Sequence, residues 1–241
     1  MFHVPTIAKR ELTSLFYSPV AYVVLGLFGF GTALLFLAGF GSGAPAEMRN
    51  LQWSILWLMV PLVPAISMRL ISEEYRSGTI EPLMTLPISD TQIVIGKWLG
   101  AMGFLLTLMI PVALMILVLS INSNPDFGPI LVGMLGLLMV GGLYLAIGTF
   151  ASATTQSQII AFLVTIAMVL AFSPLAVLLA RADWVADRAW LKHALFYINV
   201  FGQFEDFSKG IIDLGRVVFF VSGTAMFLFF AMRTLQSRRW R

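Results

Sequence analysis

Met68-Arg-Leu-Ile-Ser-Glu-Glu-Tyr-Arg-Ser-Gly-Thr-Ile-Glu-Pro-Leu-Met-Thr-Leu-Pro-Ile-Ser-Asp-Thr-Gln-Ile-Val-Ile-Gly-Lys97 joins two long apolar runs, Leu51–Leu70 and Trp98–Ile121. Each run has about the 20 residues an α-helix needs to cross a hydrocarbon core about 30 Å thick. Between them Gly78 ends the helix that comes out of the first run. Pro82 is tolerated only in the first turn of a further short helix, and Pro87 stops that helix. Ser89 with Gln92 matches a capping box for the second run. The stretch therefore reads as helix, break, short helix, break, helix. Ile80, Leu83, Met84 and Leu86 give the short helix apolar side chains outside the bilayer. Such a helix either docks on a protein or lies flat among the headgroups, and the residues leave both readings open.

Working outward, four more stretches qualify as spans: Val20–Phe40, Ile130–Phe150, Ile159–Ala180 and Val217–Met232. The last is short and must recruit Leu214 or Leu235, or sit in thinned lipid. A β-barrel would instead show strands of about 10 strictly alternating residues. Val20–Phe40 is longer than the apolar core of a signal peptide and carries no compelling cleavage pattern. The expectation is an all-α integral membrane protein of six transmembrane helices in one domain over 1–241, in a bacterial cytoplasmic (inner) membrane. Six spans put both termini on one side. If that side is the cytoplasm, the inside holds nine cations against five acids and the outside six against seven. The cations Arg233, Arg238, Arg239 and Arg241 follow the last span closely, where the positive-inside rule weighs most. Both termini are expected inside, with Arg181–Arg216 outside.

Composition agrees with lipid as solvent. Of 241 residues, 59% are hydrophobic before the 20 glycines are counted, and 11% are charged. Soluble domains hold about 45–50% apolar residues with glycine included and about 25% charged ones. A soluble enzyme, a disulfide-stapled secreted domain (there is no cysteine) and a disordered chain are excluded. The pI near 9.4 would suggest nucleic acid in a soluble protein; here the cations report topology, and no nucleic-acid partner is expected.

Two connecting segments are amphipathic. In the N-terminal one, Pro5 suits a first helical turn. Ala8, Leu12, Leu15 and Phe16 share a face, while Lys9, Arg10 and Thr13 point elsewhere. This reads as an interfacial helix separated from the first span by Pro19, against the plainer reading of a polar leader. In the long external loop, Val200, Phe204, Phe207, Ile211 and Leu214 recur at helical spacing. That pattern suits a helix at the outer surface or a re-entrant segment, with an external protein partner as the less favoured reading.

The spans lack catalytic chemistry. Lys97, Arg216 and Arg233 sit at span ends, where they can reach the interface. No intramembrane charge of the kind ion pumps use is present. His3 and His193 lie far apart, so no metal site is expected. Thr107, Thr165, Ser173 and Ser222 are expected to hydrogen-bond within their own helices. No phosphate-binding loop occurs, because Gly96-Lys97 lacks the upstream glycine. Pro61, Pro64, Pro111 and Pro174 should kink their helices, either shaping a pathway or as packed irregularities. Gly96-x-x-x-Gly100 is a helix-contact motif.

The run Glu73-Glu-Tyr-Arg-Ser-Gly-Thr-Ile-Glu-Pro-Leu-Met-Thr-Leu-Pro-Ile-Ser-Asp90, followed by Ile95-Gly-Lys97, resembles the signature of type-2 ABC exporter permeases. Phe204-Glu-Asp-Phe-Ser-Lys-Gly-Ile-Ile-Asp213, Val218-Phe-Phe-Val-Ser222 and Leu235-Gln-Ser-Arg-Arg-Trp240 resemble the gliding-motility-type branch. The resemblance implies a pair of permeases, alike or related, each bound to a separately encoded cytoplasmic ATPase that carries ATP and Mg. This chain itself would hold no cofactor and no catalytic residue. It also implies a coupling helix seated on the ATPase, formed by Gly78, Thr79, Ile80, Glu81, Leu83, Met84, Thr85 and Leu86, with Glu73 and Glu74 leading in. Pro82 departs from the family, where relatives often carry Leu, and bears on where that helix starts. By the same resemblance the N-terminal helix is a connecting helix, and the external helix with Phe204, Phe207 and Ile211 is a re-entrant outer gate. Pro61, Pro64 and Pro174 become pathway candidates. The function expected is export driven by the partner ATPase. The reading from another class is a membrane scaffold, in which hydrolysis rearranges a periplasmic accessory protein and nothing crosses.

Overall fold

The computed structural model describes residues 3–39, 47–79, 88–180 and 188–239. Among these every regular element is an α-helix: α1 (His3–Phe16), α2 (Pro19–Gly39), α3 (Arg49–Ser67), α4 (Ser72–Ser77), α5 (Asp90–Asn122), α6 (Phe127–Thr154), α7 (Gln158–Phe172), α8 (Pro174–Ala180), α9 (Ala189–Ile198), α10 (Val200–Ser208) and α11 (Leu214–Arg239). Five helices are long and apolar enough to cross a membrane, and α7 with α8 makes a sixth as a bent pair. The chain is an all-α integral membrane protein.

The six expected spans fall on α2, α3, α5, α6, α7 with α8, and α11. The sixth recruits both flanking leucines: α11 runs from Leu214 past Leu235, and its 26 residues make a rod of about 39 Å, so no thinned lipid is required. Asp213 starts it, its backbone oxygen accepting from the amides of Arg216 and Val217 at 3.1 Å and its Oδ1 from Gly215 at 2.9 Å. Polar residues in the last turns lower the hydropathy there without breaking the helix, which is why the apolar window closed too early. The fifth span is broken by 42° at Ser173–Pro174. Pro174 has no N–H for the ladder, and the break is held by Tyr144 Oη and Ser173 Oγ at 2.6 Å, both fully buried. Thr107, Thr165 and Ser222 bond back to their own helices as expected; Ser173 does not. Pro61 and Pro64 stay inside the unbroken α3 and Pro111 inside the unbroken α5. Pro64 is buried and Pro61 exposed.

α6 is the central rod. In its most apolar window 67% of residues are buried, against 22% in α2 and in α11, so the latter two lie at the outside of the bundle. Glycines let neighbours approach α6 closely. A Cβ at Gly148 would strike Ser67, and one at Gly141 would strike Leu105 and Met59. Lipid supplies no hydrophobic drive between helices, so this close van der Waals approach is what holds the spans together.

Candidate functional site

Within the segment quoted above, α4 is closed by Gly78 in the left-handed region, φ 70°. An L side chain disfavours this conformation by roughly 1–2 kcal/mol. Ser77 Oγ lies 2.8 Å from Thr79 Oγ1 and donates to the Glu73 carbonyl at 2.8 Å. Of the expected coupling helix, Gly78 and Thr79 are described, while Ile80, Glu81, Leu83, Met84, Thr85 and Leu86 lie outside the described residues. At the far end the expected capping box is present. The Gln92 amide donates to Ser89 Oγ at 3.3 Å, and the Ser89 amide to Gln92 Oε1 at 3.1 Å.

Around α4 and the first turns of α5 lies a knot of ionic and hydrogen bonds. Lys97, two turns into α5, is only 3% exposed, and its Nζ contacts Glu11 Oε2 of α1 and Glu74 Oε1 of α4, each at 2.9 Å. Arg69 pairs with Glu73 at 3.0 Å. Ser152, near the end of α6, accepts the amides of Ile71 and Ser72 at 2.9 Å each and donates to the Met68 carbonyl at 3.0 Å, fixing the turn between α3 and α4. Arg10, Glu11, Arg69, Glu74, Thr79 and Lys97 line a recess of about 130 Å³ here. A buried ammonium is tolerated because two carboxylates meet it; removing one partner of such a pair costs about 3–5 kcal/mol.

Two expectations change. Lys97 does not reach out to the interface; it turns inward to Glu11 and Glu74. The N-terminal helix is amphipathic on the face expected, with Leu15 buried, but that face is laid along α5. Ile7 meets Gly96, and a Cβ on Gly100 would stand 2.7 Å from Glu11 Cβ and 2.8 Å from the Ala8 carbonyl. Gly96-x-x-x-Gly100 is the seat of α1. Phe16 stacks edge-on to Phe104 at 5.3 Å further along. The reading missed Glu11, although it lies at helical spacing from Ile7, Ala8 and Leu15: a carboxylate on an apolar face was the available signal for a buried cation elsewhere.

At the opposite end, α10 carries Val200, Phe204 and Phe207, all fully buried. Asn199 caps it by accepting the Phe201 amide at 3.1 Å. Phe204 and Phe207 cover Gly136, nine residues or about 13 Å into α6 at 1.5 Å per residue, so α10 is sunk between the spans. The periodicity overran the helix. α10 stops at Ser208, Gly210 turns the chain at φ 81°, and Ile211 and Leu214 are exposed, at 54% and 75%. Arg216, also expected to reach the interface, holds α10 instead. Its Nε is 2.7 Å from Asp206 Oδ2, and its Nη1 donates at 2.9 Å to both the Gly202 carbonyl and Gln203 Oε1. Arg233 alone of the three end cations is exposed, lying 5.0 Å over the Phe229 ring.

No curated protein matches the chain. The family model described as ABC-2 family transporter protein matches residues 36–235, from the end of the first span into the last turns of α11. The match reaches the family and not the branch within it. With its membrane-spanning helices and its capped segment between the second and third, this chain belongs to the ABC-2 family of transporter proteins, the membrane permeases of ABC transporters.

Proposed function

We propose that this permease couples ATP hydrolysis by a separate cytoplasmic ATPase to export of a substrate, with segment 78–87 seated on that ATPase. The observation that carries the reading is Lys97. It ties the helix entering the segment (α4), the helix leaving it (α5) and α1 at one buried point, so force on the segment acts on three helices together. On this reading ATP and Mg stay on the partner, two copies or two related permeases pair about a two-fold axis, and the site lies in the cytoplasm with both termini. Spans two and five, with Pro61, Pro64 and Pro174, border the pathway.

Leu83→Asp tests the seating. An unpaired carboxylate in a desolvated interface should cost about 2–5 kcal/mol of association. Copurification of the ATPase should fall sharply while the permease still inserts and folds. Undiminished recovery of the ATPase with normal hydrolysis would contradict the reading, and would favour a segment lying flat on the membrane.

A further inference from the structure

α10 is held by two kinds of contact on two sides. Toward α3 and α6 the contacts are apolar: Phe204 and Phe207 over Gly136, Trp53 edge-on to Phe204 at 5.6 Å, and Trp57 edge-on to Phe201 at 4.8 Å. Among the described residues no hydrogen bond or ion pair is seen between α10 and α3 or α6. Toward α11 the contact is directional. The Arg216 fork takes a carboxylate, a backbone carbonyl and a side-chain amide, all on this nine-residue helix. Gln203 passes the link on by donating to the Tyr197 carbonyl, near the end of α9, at 2.6 Å. A guanidinium is planar and fixes the direction of every bond it makes; an ammonium at the same place would not. Apolar burial is non-directional, so the seat on α3 and α6 can part or slide without breaking a specific bond. The fork cannot.

α11 runs on unbroken from Arg216 past Arg233 and packs against both α6 and α5. It therefore links the outer end of the bundle to the helix that leaves segment 78–87. We infer that Arg216 is a positioning residue that makes α10 travel with α11, and that the surface that parts during the cycle is the seat of α10 on Trp53 and Trp57 of α3. The inference rests on the ATP-driven cycle proposed above and adds which helix carries movement to the outer end.

The test uses the permease purified with its ATPase in nanodiscs, with Phe201→Cys as the single thiol in this cysteine-free chain and a polar maleimide as probe. With Arg216 intact, ATP should raise the reactivity of that thiol severalfold. In Arg216→Gln the resting reactivity and the ATP hydrolysis should stay near the parent values while the ATP-driven rise disappears, and Arg216→Lys should restore part of it. A rise in Arg216→Gln equal to the parent's would overturn the inference. So would high reactivity of that variant without ATP, which would make Arg216 a pin that only keeps α10 down, and so would a parent whose thiol ignores ATP while hydrolysis proceeds. A parent complex without bound ATPase would instead overturn the coupling reading, and this inference would fall with it.

Discussion

Lys97 and Arg216 do comparable work at opposite ends of the bundle, and they do it differently. Lys97 is 3% exposed and gathers partners from 86 and 23 residues away in the chain, Glu11 and Glu74. Arg216, with a side chain 26% exposed, takes all its partners from one short helix 10 to 14 residues upstream. The first is a long-range tie between three helices around a buried ammonium. The second is a local clamp with solvent at its edge. Burial decides which of the two can be released. A desolvated ion cluster is costly to open, so on the reading proposed above the Lys97 end moves as a block, whereas the Arg216 end lets one helix change its neighbours.

The largest expected effect breaks the Lys97 side of this comparison. Lys97→Ala leaves the partly buried Glu11 and Glu74 carboxylates without their cation, and should lower stability by about 3 kcal/mol, read as a fall in the midpoint of thermal unfolding in detergent. If the comparison is right, Arg216→Ala should be milder. Its bonds are charge-assisted, but solvent screens a partly exposed pair, so a loss of about 1 kcal/mol is expected in the same measurement. Equal losses from the two variants would mean that burial does not separate them.

Much of this architecture was legible in the sequence, because apolar runs of membrane length, a capping box at Ser89 and Gln92, and the helix-ending Gly78 each act locally. What was not legible is where long-range partners lie. Lys97 at the end of an apolar run looks like any interfacial cation, and only the placement of α1 on Gly96 and Gly100 brings Glu11 to it. The same holds for Arg216, whose partners lie on a helix that the periodicity of Val200, Phe204 and Phe207 announced but extended too far, to Ile211. Ser173 departed from its expected bond for a related reason: Tyr144, on another span, offers a buried hydroxyl that local reasoning cannot see. The apolar run of the sixth span is shorter than its helix because hydropathy measures solvent preference, and a helix continues past the membrane as long as its caps and packing allow.

The most direct test of the central claim places one photo-crosslinking residue at Met84 and, in a separate variant, one at Glu205, in cells that make the permease together with its ATPase. Crosslinking from Met84 should capture the ATPase, and crosslinking from Glu205 should not. Capture of the ATPase from Glu205 and not from Met84 would reverse the assignment of the two ends and contradict the account.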